Sequence, residues 1–151
     1  MQPNYKELLY EKCLQFVDNQ IIVAKKGIDE AQQAANEDTK SSAGDKYETT
    51  RAMMQIEIEN CSKRLSESQK LHNILKQITF QQHYQAAISG SLVITNQGNY
   101  FLAIGIGKIE VENQAFFVIS PASPVGEKLN HKKVKDEFLW NGKQFIILEI
   151  L

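Results

Sequence analysis

Residues 36–44, "NEDTKSSAG", separate two long stretches of helix-patterned sequence, and their reading decides the fold. Asparagine, aspartate, serine and glycine in so short a run favour turns and helix caps. Upstream, no proline interrupts the chain from Tyr5 to about Glu37. There Leu9, Cys13, Phe16, Val17, Ile21, Ala24, Ile28, Ala31 and Ala35 recur at steps of about three and four. Downstream, from near Asp45, Met54, Ile58, Cys61, Leu65, His72 and Leu75 keep the same rhythm. Ser68 fills one position of that series, and Leu71, Ile74 and Ile78 widen it. Each series is the narrow stripe of a helix that packs on one partner. Two such helices joined by a short polar turn form an antiparallel coiled-coil hairpin. At 1.5 Å per residue each arm measures roughly 45–50 Å. The outer faces, "KKGIDEAQQ" and "EIENCSKRLSES", are polar, so the expectation is a seam without a deep core, projecting into solvent.

Near Ile78 the period changes. "AAISGSLVIT", "NYFLAIGIG", "KIEVENQAFFVIS", "DEFLW" and "QFIILEIL" are short, rich in Val, Ile and Phe, and punctuated by "NQGN", "SPASP" and "NGK". These are strand signals. "WNGK" (140–143) predicts a hairpin, because Asn-Gly accepts the positive φ angles of a type I′ turn. "SPVGEKLN" supplies one short helix, with Ser123 as its cap and Pro124 in its first turn. The fold class expected is therefore α+β. Residues 1–79 form the hairpin, with its tip at about 38–48, and residues 80–151 form a small antiparallel, strongly curved or barrel-like β domain with one short helix.

Composition narrows the function classes. The 151 residues are 42% hydrophobic and 23% charged, an ordinary globular balance, with a formal net charge of −1. Broad phosphate neutralisation along nucleic acid needs a basic face, which argues against general or sequence-specific DNA binding. Cys13 and Cys61 form no CxxC pair, and His72, His83 and His131 complete no metal-ligand spacing. Both cysteines fall on apolar helical positions and read as core thiols in a reducing compartment. The first residues, "MQPNYKELLYEKC", lack an apolar signal core, and no apolar run approaches the roughly 20 residues of a membrane span. The expectation is a cytoplasmic protein with no membrane partner.

The second half carries a resemblance. "GSLV" (90–93), "ISPASPVGEKLNHKKVKDEF" (119–138) and "NGKQFIILEI" (141–150) resemble the C-terminal domain of the Gre-type transcript cleavage factors of bacterial RNA polymerase. Gly90, Ser91, Ile119, Ser120, Ser123, Pro124, Lys132, Lys133, Val134 and Asp136 match that family's pattern. His131 and Lys135 stand where the family usually has glycine. Gre-type factors are similar in the first half too: a long antiparallel coiled coil precedes an FKBP-like β domain, and its tip carries Gly-Asp-x-x-Glu. Gly44, Asp45 and Glu48 reproduce that spacing between the two predicted helices. The resemblance implies that the β domain docks on bacterial RNA polymerase, with Ser123, Pro124, Lys132, Lys133 and Trp140 as candidate contacts. It also implies that the tip enters the polymerase secondary channel, near the 3′ end of the nascent RNA. There Asp45 and Glu48 would help hold a catalytic Mg²⁺, which the free protein does not bind, so that the polymerase cleaves its own backtracked transcript. The chain would then be a cofactor of polymerase and not an enzyme in its own right.

Independent of any family, acids three apart on a helix share a face and can converge on one ion. Mg²⁺ takes oxygen ligands and is usually held by one or two carboxylates plus phosphates and water. A bland reading also stands: acids in a first helical turn complement the helix dipole by about 0.3–1 kcal/mol. After Glu48 the chain departs from the family's Asn-Ala-Glu-Tyr and reads Thr49, Thr50, Arg51, Ala52. That departure keeps open a non-catalytic polymerase-binding regulator, or another interaction module of the same fold. Glu37 and Asp38 add acids near the turn. Lys46 and Arg51 read as contacts to RNA phosphate or polymerase acids, or as solvated charges. Trp140 reads equally as a docking contact or a core residue. A prolyl isomerase would need a concave aromatic pocket, and strand alternation sends several of the phenylalanines into the core. "GIGKIE" (105–110) lacks the spacing and the following helix of a phosphate loop.

Overall fold

Helix α1 runs Tyr5–Ser41 and helix α2 runs Asp45–Lys76. The computed structural model describes residues 4–41 and 45–151, with 38–41 and 45–47 described as backbone alone. α1 extends four residues past the expected end at Glu37, and α2 begins where expected. Asn4 caps α1: its side-chain oxygen accepts from the Glu7 N–H at 3.3 Å, and its amide donates to the Glu7 carboxylate at 3.5 Å. This reciprocal arrangement satisfies a first-turn donor that has no partner within the helix.

The helices pack antiparallel. The Tyr10 hydroxyl donates to the Leu75 carbonyl (2.9 Å), Asp18 lies 4.0 Å from His72, the Ser68 hydroxyl donates to Gln20 (3.3 Å), and Gly27 faces Cys61. As one partner's number rises the other's falls. Val17, Ala24, Ala31, Cys61 and Ser68 are buried along the seam. Ser68 is tolerated there because Gln20 satisfies its hydroxyl. Gly27 is required by closeness, since a Cβ at that position would lie 2.7 Å from the Cys61 sulfur. Phe16 (36% exposed) and Ile74 (42%) fall outside the seam, so the stripe is narrower than the sequence suggested. With one partner helix, about one residue per turn is covered, and the flanking positions face water.

Six strands and a short helix follow: β1 (Leu92–Thr95), β2 (Gly98–Leu102), β3 (Gly107–Val111), β4 (Gln114–Ile119), α3 (Pro124–Leu129), β5 (Glu137–Trp140) and β6 (Lys143–Ile150). The sheet order is β3-β4-β2-β1-β6-β5. The expected all-antiparallel sheet is corrected here. β2 and β4 pair in parallel, Tyr100 opposite Phe117, so the sheet is mixed, and its order runs open between two edges. After β2 the chain reverses and skips one position. β4 then folds back from β3 into that slot and runs in the direction of β2. Alternation tells which face a residue takes and is silent on which strand becomes its neighbour.

"KIEVENQAFFVIS" is two strands. Glu112 (φ 52°) and Asn113 (φ 64°) turn the chain between Val111 and Gln114 as a type I′ pair without glycine. The expected turn at Asn141 (φ 49°) and Gly142 (φ 74°) joins β5 to β6. Both faces are covered at the centre of the sheet, which is why Leu92 and Val93, and then Tyr100, Phe101 and Leu102, are buried in unbroken runs, while Leu139 and Leu148 nearer the edge are exposed. On one face Tyr100 stacks on Phe117 at 5.3 Å, and Phe138 stacks on Phe145 at 4.9 Å, around Ala87, Val93, Leu129 and Ile147. On the other, Tyr5 of α1 meets Phe116 at 5.2 Å. The chain divides into two compact units, residues 15–72 and residues 1–14 with 73–151. No described helix is long and apolar enough to cross a membrane.

Candidate functional site

The candidate residues fall in two groups, one in each unit. The first lies where α1 gives way to α2, at the end of the helical unit opposite residues 15 and 72. From Gln15 to Ser41 is about 40 Å of helix at 1.5 Å per residue. Gly44 lies outside the described residues, as do the side chains of Asp38, Asp45, Lys46 and Tyr47. The backbone puts Asp45 at the first position of α2 and Glu48 three residues on, a spacing that shares one face of a helix. Glu48 is exposed, and so are Thr49, Arg51 and Ala52 after it. Two carboxylates beside the positive end of a helix dipole suit an exposed anionic position. As a metal site the donor set is partial. Mg²⁺ asks for six oxygens, so two carboxylates fit an ion whose remaining ligands come from elsewhere. Among the described residues, no group of three or more His, Cys, Asp or Glu could hold a metal ion.

The second group surrounds α3. Ser123, extended at φ −68° and ψ 159°, caps the helix: its hydroxyl accepts from the Gly126 N–H (3.2 Å) and donates to the Ser120 carbonyl (2.6 Å). Pro124 follows inside the first turn, where a missing N–H costs nothing. Gly126 is buried, and a Cβ there would lie 2.2 Å from the Ser120 carbonyl oxygen. The "SPASPVG" segment is therefore a self-satisfied cap, with the Ser123 hydroxyl turned inward and Pro124 exposed.

Beyond α3, the loop 130–136 is pinned by its backbone. His131 N–H donates to the Ala87 carbonyl (2.8 Å), Ala87 N–H to the Lys132 carbonyl (2.8 Å), and Lys135 N–H to the Ile147 carbonyl (2.8 Å). The Asp136 carboxylate accepts from the Lys133 N–H at 2.8 Å. His131 (φ 64°) and Lys135 (φ 77°) both adopt the left-handed conformation that favours glycine. Lys132 is half-buried, and Lys133 and Val134 are exposed. Trp140, at the end of the edge strand β5, is half-buried against the sheet core. α3 packs beside β5, so Ser123, Pro124, Lys132, Lys133 and Trp140 lie on neighbouring elements.

One feature escaped the sequence reading. Lys6 is 6% exposed, and its ammonium donates to the Gln82 carbonyl at 2.6 Å. The signal was present, since Lys6 precedes Leu9 and Cys13 in the apolar register of α1. Burial also pushes the Cys13 thiol up to about 12, which makes it an inert core residue. Cys61 is held above its ordinary range by burial first and by the Glu57 carboxylate second. No family model, no curated protein and no solved structure matches this chain.

Proposed function

We propose that this protein is a Gre-type elongation factor of bacterial RNA polymerase, built as a coiled-coil arm and an FKBP-like docking domain. The arm enters the secondary channel and stimulates cleavage of backtracked RNA. The observation that carries the reading is the position of Asp45 and Glu48. They open α2 at the end of the antiparallel pair remote from residues 15 and 72. Asp45 and Glu48 would supply oxygens to a Mg²⁺ whose other ligands belong to the polymerase. When bound, that ion supplies activation of water and stabilisation of charge on the phosphodiester. Left-handed backbone at His131 and Lys135, where Gre-type chains usually have glycine, supports the same reading from the other unit. On the docking side, exposed Pro124 and Lys133, with the open flank of Trp140, are the candidate contacts. Ser123 would act by shaping α3.

The test is transcript cleavage on a backtracked polymerase complex. Asp45→Ala with Glu48→Ala is expected to slow cleavage by about 100-fold or more, the scale of losing a metal's transition-state stabilisation. Affinity for polymerase should hold within about threefold. Cleavage by the double variant at the wild-type rate would refute the role of the acids. A second reading rests on Thr49, Thr50, Arg51 and Ala52 after Glu48. If the wild type binds polymerase and stimulates no cleavage, the protein is a channel-occupying regulator.

A further inference from the structure

Beside the first turn of α1, a cleft of about 280 Å³ is lined by Asn4, Tyr5 and Lys6, by Phe80, Gln82 and His83, and by Leu151, which carries the terminal carboxylate. Its volume lies at the lower end of small-ligand sites. Lys6 is the unusual member. Its side chain is almost fully buried, and its ammonium rests 4.9 Å from the centre of the Tyr84 ring. The one hydrogen bond seen from it goes to a neutral carbonyl, that of Gln82. An ammonium has three donors. Among the described residues, no carboxylate lies within 4 Å of it.

A buried cation is normally paired, because removing it from water is costly. This one is also placed against the helix dipole, whose positive end is at Asn4 and Tyr5. Burial holds the Lys6 ammonium at about 8, well below its ordinary range near 10.5, because no counter-charge offsets the loss of water. The Gln82 carbonyl and the Tyr84 ring offset part of that cost but supply no counter-charge. An anion in the cleft would meet the ammonium and the positive end of the helix dipole together.

We propose that this cleft is a binding site for the oxyanion group of a small ligand, a phosphate or a carboxylate, with Lys6 as the counter-charge and Asn4 and His83 as polar walls. The site does not depend on polymerase or on Asp45 and Glu48. The full-length chain is titrated with inorganic phosphate, and separately with acetate, at fixed ionic strength, while backbone amides are followed by NMR. Saturable shifts are expected at Tyr5, Lys6, Gln82 and His83, with a dissociation constant of about 1–10 mM. Phosphate binding at least about fivefold tighter than acetate would point to a phosphorylated ligand, and equal binding to either group.

Lys6→Met should lose at least about tenfold in affinity while melting no lower than the wild type. His83→Ala, at an exposed position, keeps the fold and should weaken binding by about threefold. No saturation with either anion, or Lys6→Met binding as the wild type does, would overturn the proposal. So would a Lys6→Met that melts lower, because it would make the lysine a structural tie to Gln82.

Discussion

Residues 15–72 and the sheet-bearing unit differ in how many neighbours hold each residue. In the helical unit a buried side chain meets one partner helix, and Val17, Ala24, Ala31, Cys61 and Ser68 line a single seam. In the sheet-bearing unit Leu92 and Val93, adjacent in sequence, are both fully covered because the sheet is packed on two faces. A long one-sided element leaves most of its surface open, and Glu48 near its end is exposed. A strand covered on both sides fixes every residue it carries, and what remains open are loops and edge strands. The largest effect expected anywhere in the molecule follows from this. Asp45→Ala with Glu48→Ala should cost about two orders of magnitude in cleavage and no more than about 2 kcal/mol in stability, the dipole contribution of two first-turn acids. A double variant that unfolds would break the contrast, because it would make the tip part of a core.

The same substitution made in both units sharpens the comparison. At Gly126 a Cβ would approach the Ser120 carbonyl oxygen to 2.2 Å, and the obstacle is backbone held by the Ser123 cap. At Gly27 a Cβ would approach the Cys61 sulfur to 2.7 Å, a single side chain on one partner helix. Gly126→Ala should therefore cost about 3 kcal/mol or more, lowering the melting temperature by about 6–12 °C. Gly27→Ala should cost about 1–2 kcal/mol, and Cys61→Ala should cancel most of that penalty in a double-mutant cycle. Additive penalties at Gly27 and Cys61 would show that the helices already separate there.

What was legible in the sequence follows the same division. Helical period found both helices, both buried cysteines and the start of α2, because a seam between two helices writes its whole geometry into spacing. It overreached at Phe16 and Ile74, where an apolar residue at the right spacing still faces water. In the sheet, composition found the strands and the Asn141–Gly142 turn. It missed the turn at Glu112–Asn113, which has no glycine, and the parallel pairing of β2 with β4, which is a choice of neighbour and leaves no periodic trace. Asp45 and Glu48 were readable as a pair because their spacing is local. The Lys6 cleft was not, because Gln82 and Tyr84 come to Lys6 from across the chain.

A smaller effect is expected from pH. Lys6 holds its proton to about pH 8 in the native state, whereas an unfolded lysine keeps it to about 10.5. Below pH 8 both states are charged, and the native state bears the full cost of the buried ammonium. Between about 8 and 10.5 the native lysine is neutral while the unfolded chain still binds the proton, so the stability of the wild type rises with pH. Tyr84 beneath the ammonium, and His83 and the Leu151 carboxylate in the cleft wall, are common to wild type and variant and cancel in the difference. The stability advantage of Lys6→Met should be largest below pH 8 and should shrink toward pH 10.5. An advantage that does not vary with pH would mean that shape, and not charge, is what burial of Lys6 strains.

The smallest effect concerns the two residues with left-handed backbone that flank Lys132, Lys133 and Val134. An L-residue in that conformation is strained by about 1–2 kcal/mol relative to glycine, and histidine tolerates it better than lysine. Glycine gives part of this back through the greater freedom of its unfolded chain. His131→Gly should stabilise by about 0.5 kcal/mol and Lys135→Gly by up to about 1 kcal/mol, a rise of about 2–4 °C for the second. The backbone bonds from His131 to Ala87 and from Lys135 to Ile147 are made by N–H groups that glycine keeps, so the loop should hold its shape. If docking uses that shape, both glycine variants will bind polymerase as the wild type does. If it uses the side chains of His131 and Lys135, binding will fall while stability rises, and the face would be read by charge and not by backbone form.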